Sequence, residues 1–209
     1  MNAARPPEKL PLGIRNACLV ALVLSAVVGL LSASEALTLV HFSELKSLEP
    51  PSVSDRLQRE LLEKGREAQL IALEGMRFPR ALTLCALSLI CALAFVASGR
   101  LIRPRNVERE RMRQLLVFSS ISAALLRTVD GAQSAVVARR VGVALGKVGA
   151  DLASLPEVSA EDVRRMFPSA AIGIAVLQTV LVAGTFALLW QYFRSQKVRQ
   201  LLAFAGKPP

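Results

Sequence analysis

The chain is poor in the residues that most enzymes use for chemistry. Its 209 residues include one histidine, His41, one tryptophan, one tyrosine and three cysteines. One histidine leaves little room for a metal cluster. Cys18, Cys85 and Cys91 form no C-x-x-C and stand far in sequence from His41, so a structural zinc site is not expected. All three cysteines fall inside apolar blocks, where a thiol is expected to act as a small buried hydrophobe. There is no dinucleotide-binding or phosphate-binding glycine loop, no H-E-x-x-H and no G-x-S-x-G. His41 and Glu44 stand three apart but have no nucleophile to serve, so an ordinary surface pair is expected. No cofactor and no metal are expected.

Charge is also missing, from three long stretches. Ala17–Ser34 and Ala81–Ser98 run 18 residues each and Ser169–Phe193 runs 25, all without a charged side chain. At 1.5 Å per residue, 18 helical residues reach about 27 Å, close to the thickness of a bilayer's hydrocarbon core. Trp190 and Tyr192 end the last stretch and suit an interfacial anchor. Mean hydropathy is +0.44 although 20% of residues are charged, because the apolar residues come in blocks. The first stretch ends in "SAS", which resembles a secretory cleavage site. Apolar residues resume after Glu35 with "ALTLV", which favours an uncleaved anchor.

A fourth candidate, Gln114–Ala138, is interrupted by Arg127 and Asp130. Charge counting supports it as a true span. With the N-terminus in the cytoplasm, residues 1–16, 99–113 and 194–209 hold 13 basic and 3 acidic side chains. The opposite segments, 41–80 and 139–168, are nearly neutral, with 7 basic against 7 acidic and 5 against 4. The formal excess of +10 therefore gathers on one side, as the positive-inside rule requires, and nucleic-acid binding is not needed to explain it. Without the fourth span, the four basic residues after Tyr192 would fall on the wrong side.

Arg127 and Asp130 are three apart and share a helix face. Each alone is expensive in lipid, and paired toward the protein interior they cost less. Depth matching adds Glu35, in the outer part of the first span, and Gln178, in the last. Arg127 is expected between Asp130 and Glu35, with Gln178 nearby. This intramembrane cluster is the one candidate site. A structural network that fixes helix packing is favoured over an ion or proton route or a charged-ligand site. Gly29, Ser25, Ser88, Ala92, Gly173 and Gly184 are candidate close-contact positions. The G-x-x-x-G at Gly142 and Gly146 falls beyond Arg139 and Arg140.

The expected organisation is a flexible leader (1–13), one membrane domain (14–198) and a cytoplasmic tail (199–209). Its spans cover about 16–40, 80–98, 114–138 and 169–193, with outer loops at 41–79 and 139–168. Pro50 and Pro51 break the chain. A helix then restarts near Ser52 or Ser54, with Val53, Leu57, Leu61, Ala68 and Ala72 on one face and pairs such as Glu60–Lys64 on the other. Pro79 is expected to kink or break the chain before the second span. The third helix is expected to continue beyond Ala138 to near Pro156. "SAEDVRRMF" reads as a separate short helix capped by Ser159, with Asp162 at its third position, and Phe167 and Pro168 lead into the last span.

The fold class is thus all-α, an integral membrane four-helix bundle with short amphipathic extracytoplasmic helices, expected in a bacterial inner membrane. The expected role is non-enzymatic, as a structural, assembly or sensory component that acts through helix contacts. The alternatives are a small transporter or channel subunit using Glu35, Arg127 and Asp130, and a membrane-embedded enzyme. The bilayer is the expected surrounding, a second copy or another membrane protein the expected partner, and nucleic acid is not one. Single cysteines introduced at residue 105 and in the C-terminal tail should react with a membrane-impermeant reagent from the same side. Labelling from opposite sides would remove the fourth span.

Overall fold

The computed structural model describes residues 11–43, 56–103, 109–152 and 159–204. Six helices lie among them: α1 (Leu12–Val40), α2 (Arg56–Glu74), α3 (Arg77–Ile102), α4 (Arg109–Leu152), α5 (Ala160–Arg194) and α6 (Gln196–Phe204). No strand occurs among the described residues. The protein is all-helical, and α1, α3, α4 and α5 are each long and apolar enough to cross a membrane. The leader up to residue 10, Glu44, the expected helix start at Ser52 or Ser54, and Pro156 lie outside the described residues.

The helix limits have local causes. α4 runs unbroken for 44 residues, through Arg127 and Asp130 and past Ala138. Ser159 caps α5: the Asp162 amide donates to its Oγ at 3.1 Å, and its hydroxyl donates to Asp162 Oδ2 at 2.6 Å. The separate short helix expected at "SAEDVRRMF" does not form. α5 continues for 35 residues with Pro168 inside it. An internal proline costs a helix about 3 kcal/mol, and close packing at that point, described below, offsets it. Pro79 does not break its helix either. It is the third residue of α3, in the first turn, where the missing N–H would have had no helical partner anyway. The break falls at Gly75 and Met76 instead. The tail expected from residue 199 begins as part of α6.

The chain forms two compact units. The first holds Met1–Ser32, Ala86–Leu125 and Ala183–Pro209. Its α1 stretch buries Ile14, Cys18, Ala21, Ser25, Val28 and Ser32, and its α3 stretch buries Leu87, Cys91, Ala94, Ser98 and Leu101. Both series advance by three and four, which is the spacing of a packed helical seam. Most of the members are small, which lets backbones approach. At Gly29 a Cβ would stand 3.0 Å from Cys91 Cβ. The opposite face of α1 exposes Val23, Val27 and Leu30, as apolar as the seam itself.

At one end of this unit Arg113 ties α4 to α5. It donates to the Phe193 carbonyl at 2.7 Å and grips Glu110 through Nε and Nη2, at 2.9 and 2.6 Å. The guanidinium thereby satisfies a carbonyl near the end of α5, where a cation is favoured. Glu110 precedes the stretch expected to span, and the hydrogen bonds from Arg113 hold its carboxyl below the usual carboxylate range. Arg199 of α6 reaches Glu110 at 3.8 Å, and Val198 and Leu202 of α6 are buried.

The second unit holds Ala33–Cys85 and Leu126–Val182. Ala36, Leu39 and Leu84 form its apolar cluster, with Leu73 and Ala81 against it. Arg77 donates to the Val40 carbonyl at 3.0 Å and stacks on Phe42 and Phe78. On α2, Ala72 is fully buried while Leu61 and Ala68 are half-buried. Lys64 pairs with Glu67 at 3.2 Å rather than with Glu60. α5 buries no residue in this unit: its buried side chains, Phe186, Leu189 and Phe193, all belong to the first. It is held to α4 through glycines instead. A Cβ on Gly142 would lie 2.7 Å from Pro168 Cα, and Gly146 and Gly149 face Arg164 and Val163. A Cβ on Gly131 would collide with the Thr179 side chain.

Several contact expectations are corrected. A Cβ placed on Gly173 or Gly184 would meet nothing within 4 Å, Ala92 is exposed, and Cys85 is exposed whereas Cys18 and Cys91 are buried. The cause is general. A lipid-facing side is as apolar as a packed one, so hydropathy does not separate them.

In a helix interior, glycine to alanine ordinarily stabilises by about 0.5–1 kcal/mol. Gly173→Ala should follow that rule. Gly142→Ala should instead destabilise by about 1–3 kcal/mol, because the backbone of α5 must move. Denaturant titration of the two variants in micelles reads the sign.

Candidate functional site

The candidate site lies in the second unit and is built on α1, α3 and α4. α1 and α3 each bring one charge and α4 brings two. Arg80, on the first turn of α3, is 6% exposed. Its Nη2 donates to Glu35 Oε1 of α1 at 2.5 Å and to Ser134 Oγ of α4 at 3.1 Å. The same nitrogen stands 3.7 Å from Asp130 Oδ1. Asp130 is fully buried, and its Oδ2 accepts from Arg127 Nη1, one turn earlier on α4. The chain of charges is therefore Glu35, Arg80, Asp130, Arg127, alternating in sign and summing to zero.

Sequence reasoning places Arg127 between the two carboxylates. In the structure Arg80 occupies that position, and Arg127 pairs with Asp130 and with no other acid among the described residues. Arg80 directly precedes the charge-free run Ala81–Ser98, so charge counting assigns it to the segment 41–80 and not to a span. A depth argument could have found it. α1 and α3 run in opposite directions, so a charge at the start of α3 meets one near the end of α1. Glu35 itself is 44% exposed at its side chain, so one end of the network reaches the surface of this unit.

The arrangement suits a clamp. Oppositely charged groups in contact remove much of the cost of holding charge away from water, and three helices become tied at one level. It spends little of its capacity on further hydrogen bonds. Arg80 Nε, Arg127 Nε, Asp130 Oδ1 and Gln133 Oε1 are buried with no hydrogen-bond partner among the described residues. A nucleophile and base in register, or a carboxylate pair sharing one site, does not occur in this cluster. The two acids are separated by Arg80.

Beside the network lies a cavity of about 410 Å³, lined by α1, α2, α3, α4 and α5. Glu35, Arg80, Ser134 and Gln178 line it, together with Gln69 of α2. The structure thus brings Gln178 to the same cavity as Glu35 and Arg80, while Arg127 and Asp130 are not among its lining residues. The remaining wall is apolar, with Val141, Leu145, Phe167 and Ile174 prominent. His41, the other polar candidate, has its Nδ1 at 3.0 Å from the Leu37 carbonyl one turn earlier.

Comparison of the chain with known family models, curated proteins and solved structures gave no match.

Removing one partner of a buried pair leaves the other uncompensated. Asp130→Asn and Arg80→Met should each lower stability by about 3 kcal/mol. Gln178→Leu breaks no hydrogen bond and should stay within about 0.5 kcal/mol of the parent. Unfolding midpoints in mild detergent, titrated with a denaturing one, distinguish these outcomes.

Proposed function

We propose that the chain is a non-enzymatic membrane component, structural, assembling or sensory, that works through contacts between membrane helices. In this reading it crosses a bacterial inner membrane four times with both ends in the cytoplasm. The observation that carries it is the uneven burial of the four long helices. In its most apolar window α5 is 11% buried, against 33–39% in α1, α3 and α4. Ile174, Leu177, Val180 and Leu181 of that helix are exposed, and Gly173 beside them is open. An apolar helix face carrying a small residue suits close approach of another membrane helix, from a second copy or from a different membrane protein.

The charge network supports the same reading from another direction. Its four charges neutralise one another and bind three helices, which favours a packing role. The cavity beside Glu35 and Arg80 favours a second reading, a small transporter or channel subunit with the cluster on its route.

Two measurements separate the readings. Under the first, purified protein in sealed vesicles conducts neither protons nor small ions. Exchange of Glu35, Arg80, Arg127 and Asp130 together for apolar residues of similar size then restores the membrane abundance lost in Arg80→Met. A protein-dependent flux that disappears on changing any one of the four, with abundance intact, would give the site to transport.

A further inference from the structure

The cavity in the second unit is bounded in a way that bears on its contents. α4 and α5 approach closely at two places, Gly142 to Gly149 against residues 163–168, and Gly131 against Thr179. Between them α5 turns Ala171, Ile174, Ala175 and Gln178 toward open space. On α4 the lining runs from Ser134 to Leu145, which at 1.5 Å per residue is about 16 Å. The space is thus elongated along the groove. The space is an open groove, not an enclosed void, since Gln69, Ile174 and Gln178 along it are exposed.

Its two ends differ in chemistry. Ser134, Gln178, Glu35 and Arg80 gather at one end, Leu145 and Phe167 lie at the other, and Gln69 of α2, one turn from the Gly65 that packs on Leu145, adds an amide to the wall. At the polar end charge is already settled, since Arg80 holds Glu35 and stands beside Asp130, which Arg127 also holds. Hydrogen-bonding capacity is not settled. Arg80 engages only Oε1 of Glu35, which leaves Oε2 as an acceptor. The Gln178 amide makes no hydrogen bond with another described residue and offers both a donor and an acceptor. A carboxylate head would meet the like charge of Glu35, and an ammonium head would meet the like charge of Arg80. A hydroxyl is both donor and acceptor, so it suits a carboxylate oxygen and an amide lining the same space without disturbing either ion pair.

We infer that this cavity binds a neutral, single-chain amphiphile, its hydroxyl-bearing head at Glu35 and Gln178 and its alkyl chain along the α4–α5 groove. The site goes beyond the scaffold role and does not depend on which side of the membrane the unit faces. Its volume falls in the range of small-ligand sites, about 300–1,000 Å³.

The test uses the full-length protein in phosphatidylcholine nanodiscs and three photoreactive diazirine probes of equal chain length: dodecanol, dodecanoate and dodecylammonium. The alcohol should label the protein saturably, at least tenfold more than either charged probe. Peptide mapping should place the label on residues 134–145 and 171–178, and unlabelled monododecanoylglycerol should compete it away. Ala175→Phe, and separately Ala171→Leu, fill the groove and should reduce labelling at least tenfold in protein that elutes as the parent does. The competition arm on the parent protein stands even where neither variant folds. The proposal is overturned by labelling that does not saturate, by labelling mapped elsewhere, by preference for a charged head, or by groove-filled protein that folds and labels as strongly as the parent. None of these outcomes alters the flux and abundance measurements, so the two readings fail separately.

Discussion

The second unit depends on Arg80 standing between two carboxylates. A guanidinium 6% exposed would be prohibitive without compensation, and Glu35 and Asp130 supply it from two other helices. Asp130, fully buried, would in turn be prohibitive without Arg127 and Arg80. Arg80 and Asp130, the buried members, are not tolerable at their positions without these partners, whereas Glu35 reaches the surface. That mutual requirement fixes the rotation of α1, α3 and α4 in this unit, because each helix must turn its charged residues inward. An apolar core of equal size could be packed in several rotations. A network with directional donors and acceptors accepts few.

The two units hold their helices by different means. In the first, small residues at three- and four-residue spacing let α1 and α3 seat closely, and Arg113 closes the end of α5. In the second, charges fix three helices while α5 rests on glycines and buries no side chain of its own. Contact at glycines is narrow: it secures α5 where Gly142 meets the Pro168 backbone and where Gly131 meets the Thr179 side chain, and leaves space between. The cavity and the exposed face of α5 are thus consequences of the same packing choice. A helix held by a few close points has its other surfaces free for lipid, ligand or another helix.

Much of the helical content was legible in the residues. Three charge-free runs of spanning length and a fourth recovered by charge counting correspond to four long helices. The Ser159 cap and the continuation of α4 beyond Ala138 were also legible, because capping residues and unbroken helix-forming sequence act locally. Two proline signals misled. Pro79 reads as a kink or break, and Pro168 as the lead into the last span after a separate short helix. Yet one sits in a first turn where its missing N–H has no helical partner to lose, and the other lies inside α5 against Gly142 of a neighbouring helix. A proline's effect depends on its place in the turn and on what packs there, and neither is local information.

Composition and order determined that this chain forms long apolar helices with basic flanks, and that an arginine and an aspartate share one face of α4. Those follow from helix geometry and from the cost of charge in lipid, which a sequence states directly. Only the tertiary structure decided which charges meet. It set Arg80 rather than Arg127 between the acids, buried Cys91 but not Cys85, and opened a polar-ended cavity beside α5. Hydropathy is silent on such matters because the inward and lipid-facing sides of these helices are equally apolar. The choice between them is made by side-chain size, charge pairing and close backbone contact, which exist only once the helices are side by side.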